Sequence, residues 1–178
     1  MSQGLIQHYL PVFRHYLSRI DHLAERGTAA HLSARLSPDG FTALEHFAIA
    51  QRYILRGVYP LIGQDLPEME EVTDHAGLRK RGGFVRSCLD EVAKCSAQNA
   101  DDITHVAGHS TLRQSPYDYI ALYAAPNFFF HMNMGYAILR SQGAQVGKGD
   151  FDGFHSYPQG FSFQNDGAGP MPVQTEQQ

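Results

Sequence analysis

Hydrophobic residues recur along this chain at steps of three and four positions, which is the spacing of one face of an α-helix. The first such stretch covers residues 5–24, contains Pro11, and predicts an amphipathic helix. The second covers residues 41–59 and is apolar around most of its circumference, so we predict a deeply buried helix. Asp39, in a Ser-Pro-Asp-Gly turn, is the predicted N-cap of this second helix.

A third helix is predicted over residues 73–98, with Thr73 as a possible cap. It contains a glycine pair, Gly82 and Gly83, and each glycine costs a helix about 1 kcal/mol relative to alanine. We therefore expect this helix to break or to begin at the pair. Residues 99–114 are polar and predict a long connection with a little extended structure.

The longest apolar run of the chain lies in the fourth predicted helix. Ser115 provides its N-cap, Pro116 its first position and Gly143 its end. The residues after it are rich in Gly, Pro, Phe and Tyr and have no helical period. We predict an all-α protein: an antiparallel bundle of four principal helices over residues 1–147, followed over residues 148–178 by a long irregular C-terminal tail that packs on the bundle or on a dimer partner.

Composition narrows the functional classes. The chain has 178 residues and a formal net charge of −4, and its pI is near 6.2, so it has no electrostatic footprint for nucleic acid. No window reaches the roughly 18 uninterrupted apolar residues of a membrane span, and the N-terminus lacks the features of a secretory signal. We therefore expect no nucleic-acid partner, no membrane association and, by default, cytoplasmic residence.

Three further patterns have a plain structural interpretation. Cys88 and Cys95 lie two turns apart on one helix, too far for a disulfide, and are interpreted as reduced core residues. Histidines that recur every seven residues on the first helix are interpreted as a solvated or dimer-facing edge, and a basic cluster on the third helix as a solvated face. These two sets are His8, His15 and His22, and Arg79, Lys80, Arg81 and Arg86.

Polar residues inside the fourth helix are the candidate functional residues. Asn127 and His131 are four positions apart and share one face, and Pro126 frees a backbone carbonyl one turn earlier. If the second helix packs against the fourth, His46 can reach the same point, with Tyr53 nearby. Two histidines and an asparagine, completed by water, can bind zinc, nickel or iron(II). Alternatively, the buried groups satisfy one another and the freed carbonyl without a metal.

A family resemblance bears on this choice. The segment AAPNFFFHMNMGYAILRSQGAQVGKGDFDG resembles the C-terminal signature of the DUF1993 family, bacterial proteins of unknown function in the DinB/YfiT-like group of four-helix bundles. The segment ARLSPDGF before the second helix also fits this family. The resemblance is strongest over residues 117–153 and implies a DinB-like bundle with one long crossover connection.

The wider DinB-like group typically holds a divalent metal with one histidine on the second helix and a His-x-x-x-His pair on the fourth. By this resemblance His46 and His131 would be ligands, and Asn127 stands where the group has a histidine. The resemblance implies a metal-dependent small-molecule hydrolase or thiol transferase with a variant site of Zn, Ni or Fe. The alternative is a non-catalytic, metal-free bundle that binds a small apolar ligand or acts through its dimer interface. A homodimer is expected in either case.

Overall fold

The computed structural model describes residues 2–96 and 102–158, and these residues are mostly helical. In chain order the elements are α1 (Ser2–Arg26), α2 (Ala29–Ser33), α3 (Ala43–Val58), a 3-10 turn (Pro60–Ile62), α4 (His75–Val92), β1 (Ile103–Ala107), β2 (Ser110–Gln114), α5 (Pro116–Asp118), a π-helical turn (Tyr119–Ala124), α6 (Ala125–Ser141) and α7 (Lys148–Asp152). The four predicted helices correspond to α1, α3, α4 and the continuous stretch from α5 to α6.

The start of α3 differs from the prediction. Thr42, and not Asp39, is the N-cap, because it forms a capping box with Glu45. The Glu45 backbone N–H donates to the Thr42 hydroxyl at 3.2 Å, and the Thr42 N–H donates to the Glu45 carboxylate at 2.7 Å. Asp39 instead accepts a hydrogen bond from the Ser37 hydroxyl in the preceding turn. Two reciprocal bonds make Thr42 the better cap.

The predicted break in the third helix is wrong, because α4 continues through both glycines. The N-cap of α4 is Asp74, one residue after the predicted Thr73. The Asp74 carboxylate accepts a hydrogen bond from the Gly77 N–H. Gly82 faces the interior, where a Cβ would lie 3.0 Å from Asp21 Oδ1 and 3.2 Å from Gln51 Nε2. A small residue is therefore required at Gly82 for packing, which outweighs its low helix propensity.

The glycine pair provides a matched test of this explanation. A Cβ at Gly83 would meet nothing within 4 Å, so Gly83→Ala should raise the free energy of unfolding by about 0.5–1 kcal/mol through helix propensity alone. Gly82→Ala should gain none of this, because its methyl group crowds Asp21 and Gln51. Urea unfolding of both variants measures the difference. Equal stabilisation by the two substitutions would contradict the packing role of Gly82.

A β-hairpin corrects the all-α prediction. Strands β1 and β2 pair antiparallel, with Ile103 opposite Gln114 and Ala107 opposite Ser110. Gly108 lies in the turn with φ of 59°, a conformation that glycine adopts without a steric penalty. The hairpin lies in the long connection between α4 and α5, for which we predicted only a little extended structure.

The fourth predicted helix is continuous, but its hydrogen-bonding pattern changes from α-helical to π-helical and back. Ser115 is its N-cap, as predicted, and accepts from the Asp118 N–H at 3.1 Å. The π-helical turn ends just before Pro126, whose missing N–H removes one α-helical hydrogen bond. Gly143, with φ of 86°, follows the end of α6, also as predicted.

The core lies between α1, α3, α4 and α6. The rings of Phe13 on α1 and Phe128 on α6 meet edge to face at 5.4 Å, and both are fully buried. Helix α3 packs closely on α6 where Gly135 faces the ring of Phe47. This close approach positions the site described below, because it sets the separation of α3 and α6.

Residues 149–154 contact α1, and Lys148–Asp152 form α7, so the prediction of an irregular tail is wrong for Lys148–Asp152. His22 Nε2 lies 2.7 Å from Asp150 Oδ1, and His15 Nε2 lies 2.7 Å from the carbonyl oxygen of Asp152. The predicted solvated or dimer-facing edge is therefore covered by the chain itself at His15 and His22, while His8 is exposed. Residues 159–178 of the predicted tail lie outside the described residues.

Candidate functional site

The structure brings His46 on α3 and His131 on α6 into direct contact. Their Nδ1 atoms are 2.9 Å apart. Both residues are buried, with 5% and 9% of their surface exposed. His46 lies on the inward face of α3 because buried apolar residues flank it at helical spacing, and the same holds for His131 on α6.

In this contact the two imidazoles are either both neutral or carry one positive charge between them. One Nδ1 must donate and the other must accept, because two protonated rings would place two N–H groups against each other. Burial, with the charge of His46, lowers the pKa of His131 to about 4. Burial also lowers the pKa of His46, against the opposing charge of Glu45. Both imidazoles are therefore neutral at pH 7, which is the form that binds a metal or accepts a proton.

Aromatic rings surround the pair. Tyr53 on α3 stacks on His131, with ring centroids 5.7 Å apart and an interplanar angle of 19°. The ring centroids of Phe41 and His46 are 5.6 Å apart, and those of Phe130 and His131 are 5.1 Å apart. The two phenylalanines are 51% and 54% exposed, so they form an apolar rim between the buried histidines and solvent.

Asn127 is engaged within its own helix. Its side-chain nitrogen donates to the carbonyl oxygen of Tyr123 at 2.8 Å, an acceptor in the π-helical turn. In the part of the chain that the structure describes, Asn127 makes no hydrogen bond to His46 or His131. Its side-chain oxygen remains an available acceptor. Of the residues predicted for the site, the structure thus joins His46, His131 and Tyr53 and leaves Asn127 one turn away.

Arg56 was not predicted. Its Nη2 donates to the Tyr123 hydroxyl and to the carbonyl oxygen of Val106, both at 2.9 Å. The guanidinium carbon lies 5.1 Å from the Tyr53 ring and 5.5 Å from the Tyr123 ring. Its spacing of three residues from Tyr53 on α3 was a usable signal, but the contribution of the hairpin residue Val106 depends on a tertiary contact.

The fold is similar to that of a DinB family member. A crystal structure of a DinB family member protein from Shewanella denitrificans is similar to this chain with a TM-score of 0.72 and 25% sequence identity, over 88% of this chain and 96% of that one. The chain belongs to the DUF1993 family, a domain of unknown function, whose family model matches residues 1–152. This confirms the resemblance found in the sequence. A search of curated proteins gave no match.

Two negative findings concern the described residues 2–96 and 102–158. No three or more His, Cys, Asp or Glu side chains there form a group that could hold a metal ion. None of the helices in these ranges is long and apolar enough to cross a membrane.

Proposed function

We propose that this DUF1993 protein is a metal-dependent enzyme of the DinB group that acts on a small molecule by hydrolysis or thiol transfer. The observation that supports the proposal best is the 2.9 Å separation of His46 Nδ1 and His131 Nδ1 in a buried position. The fold similarity to a DinB family member is consistent with it.

The donor set fits a divalent metal. Imidazole nitrogens bind zinc at about 2.0–2.1 Å, so two ligand nitrogens of a tetrahedral site lie about 3.3 Å apart, and a small separation of the two rings from the observed 2.9 Å would reach this distance. Both imidazoles are neutral at pH 7, as metal ligands must be. The Asn127 side-chain oxygen and water are the donors that would complete the site. A bound metal would act as a Lewis acid or lower the pKa of a bound water.

The residues around the pair have separate roles in this proposal. Tyr53, stacked on His131, fixes the plane of that ring and therefore the direction of its nitrogen atoms. Phe41 and Phe130 cover the histidines and limit the access of water while leaving an apolar entrance. An apolar entrance to a small polar centre favours a small organic substrate.

The proposal also includes the finer features expected from the sequence. The four long helices would form the antiparallel bundle of the DinB group, in a cytoplasmic homodimer. A partner surface could use exposed apolar side chains such as Leu112, Tyr117 and Leu122.

A second function is supported by the same atoms. The two histidines can satisfy each other through one N–H···N hydrogen bond, and Asn127 is satisfied by Tyr123, so the polar groups need no metal. In this case the protein would be a non-catalytic bundle that binds a small apolar ligand or acts through its dimer interface, and the exposed Phe41 and Phe130 rings are apolar surface available to such a ligand.

Metal analysis distinguishes the two functions. Protein purified without a histidine tag should contain about one zinc, nickel or iron per chain, and His46→Ala and His131→Ala should both lose it. His109→Ala is the matched control, because His109 is exposed in the hairpin turn and should leave the metal content unchanged. Wild-type protein that contains no metal and shows no thermal shift with zinc, nickel or iron would establish the second function instead.

A further inference from the structure

Arg56 is a cation near the histidine pair, because its guanidinium lies over the Tyr53 ring that stacks on His131. Within residues 2–96 and 102–158, no Asp or Glu side chain forms an ion pair with Arg56. Arg56 is only partly exposed, so its charge is partly desolvated. A partly buried charge without an opposite charge is unfavourable, and an anionic ligand would remove this cost.

The guanidinium is held in place and retains unused donors. Its Nη2 makes both hydrogen bonds, to Tyr123 and Val106, while Nε and Nη1 make none with the described chain. Neither Nε nor Nη1 is among the buried polar atoms that lack a partner, so both are accessible to solvent. A fixed guanidinium with solvent-accessible N–H groups is prepared to bind an anion, because little side-chain entropy remains to be lost.

Tyr53 connects this cation to the histidine pair. The Arg56 guanidinium carbon lies 5.1 Å from the centroid of the Tyr53 ring. The centroid of that ring lies 5.7 Å from the centroid of the His131 ring. The Arg56 guanidinium and His131 are therefore both neighbours of the same ring, and Phe130, which contacts His131, is exposed.

The charge of the site favours one class of anion. Arg56 is the cation whose charge acts on the Tyr119 and Tyr123 hydroxyls. A single positive charge between aromatic rings matches a monoanionic carboxylate on an apolar body. A phosphate dianion usually requires several cations or a group of backbone N–H donors.

We propose that Arg56, with Tyr53 and Tyr123, anchors the carboxylate of a small aromatic or aliphatic organic acid whose other end reaches His46 and His131. The identity of the reacting end rests on the proposed function. The anchoring of the carboxylate does not, and it is tested on metal-free protein. If the wild-type protein binds no metal, the proposed enzyme function is refuted but the proposed carboxylate subsite is not.

Benzoate and its neutral analogue benzamide test the subsite. With EDTA present and ionic strength held constant, benzoate should stabilise the wild-type protein saturably in thermal melts, and benzamide should bind at least about tenfold more weakly. Arg56→Gln should abolish the preference for benzoate. Arg52→Gln, on the exposed side of the same helix, is the matched control and should retain it.

Circular dichroism shows whether Arg56→Gln is folded, since this variant also loses the hydrogen bond to the hairpin. If it is unfolded, Arg56→Lys replaces it, and this variant should still prefer benzoate over benzamide because it keeps the charge. Equal binding of benzoate and benzamide by the wild type, or an undiminished preference in folded Arg56→Gln, would overturn the proposal. Tighter binding of inorganic phosphate than of benzoate would overturn the carboxylate assignment.

Discussion

Gly135→Ala is expected to lower the free energy of unfolding by about 2–3 kcal/mol. A Cβ at Gly135 would lie 2.6 Å from Cε1 of Phe47 and under 3 Å from two further ring atoms. The Phe47 ring is fully buried in a core that is expected to be close-packed, so we expect the methyl group to push α3 and α6 apart. This cost exceeds the gain of about 1 kcal/mol that alanine brings to a helix.

Urea unfolding measures the effect, and a double-mutant cycle assigns it to the named contact. In a Phe47→Leu background the smaller side chain leaves room for the methyl group, so Gly135→Ala should cost at least about 1 kcal/mol less than in the wild type. Gly83→Ala, which should stabilise the protein, controls for helix propensity. Equal costs of Gly135→Ala in the two backgrounds would show that the Phe47 contact does not cause the loss.

Stability should fall steeply between about pH 6.5 and pH 4 because of His131. Burial, with the charge of His46, lowers its pKa from 6.5 to about 4 in the folded state. Between these values His131 is protonated in the unfolded chain and neutral in the folded chain. The free energy of unfolding therefore rises with pH across this window, and the contribution of His131 is complete above pH 6.5. The shift corresponds to at most about 3 kcal/mol.

The measurement is urea unfolding at a series of pH values in EDTA, so that metal binding does not contribute. His131→Gln removes the titrating ring and should flatten the curve between pH 4 and pH 6.5. Burial of His46 acts in the same direction and leaves a smaller slope in His131→Gln. The pKa values of Asp150 and Asp152 are lowered in the folded state, so the stabilisation that these carboxylates contribute is lost mainly below this pH window. An identical pH dependence in wild type and His131→Gln would refute the depressed pKa.

The predicted helices were largely correct because their apolar spacing is a local property of the chain. The errors arose where a nearby alternative competed. Thr42 replaced Asp39 as a cap because of its reciprocal bonds with Glu45, and Gly82 remained helical because a packed neighbour required its small size. The hairpin at 103–114 has too few apolar residues to be distinguished from a polar connection, and its register depends on backbone pairing.

The candidate site was predicted only in part. The i, i+4 spacing placed Asn127 and His131 on one face, and the expected packing of the second helix on the fourth added His46, which the family resemblance then matched to a ligand. The direct contact of the two imidazoles and the stacking of Tyr53 came from the packing of α3 on α6. Arg56 was missed although it lies three residues after Tyr53 on α3, because its contact with the hairpin residue Val106 depends on the tertiary structure.

The long helices, the family and the residue types available for chemistry could be predicted from the chain alone, since they follow from the order of its residues. The folded structure was needed to show that His46 meets His131, that Asn127 binds its own helix, and that Arg56 has no counter-ion among the described residues. The physical reason is that these relations depend on the separation and rotation of α3 and α6. That geometry is set by contacts such as Gly135 on Phe47, which join residues far apart in the chain.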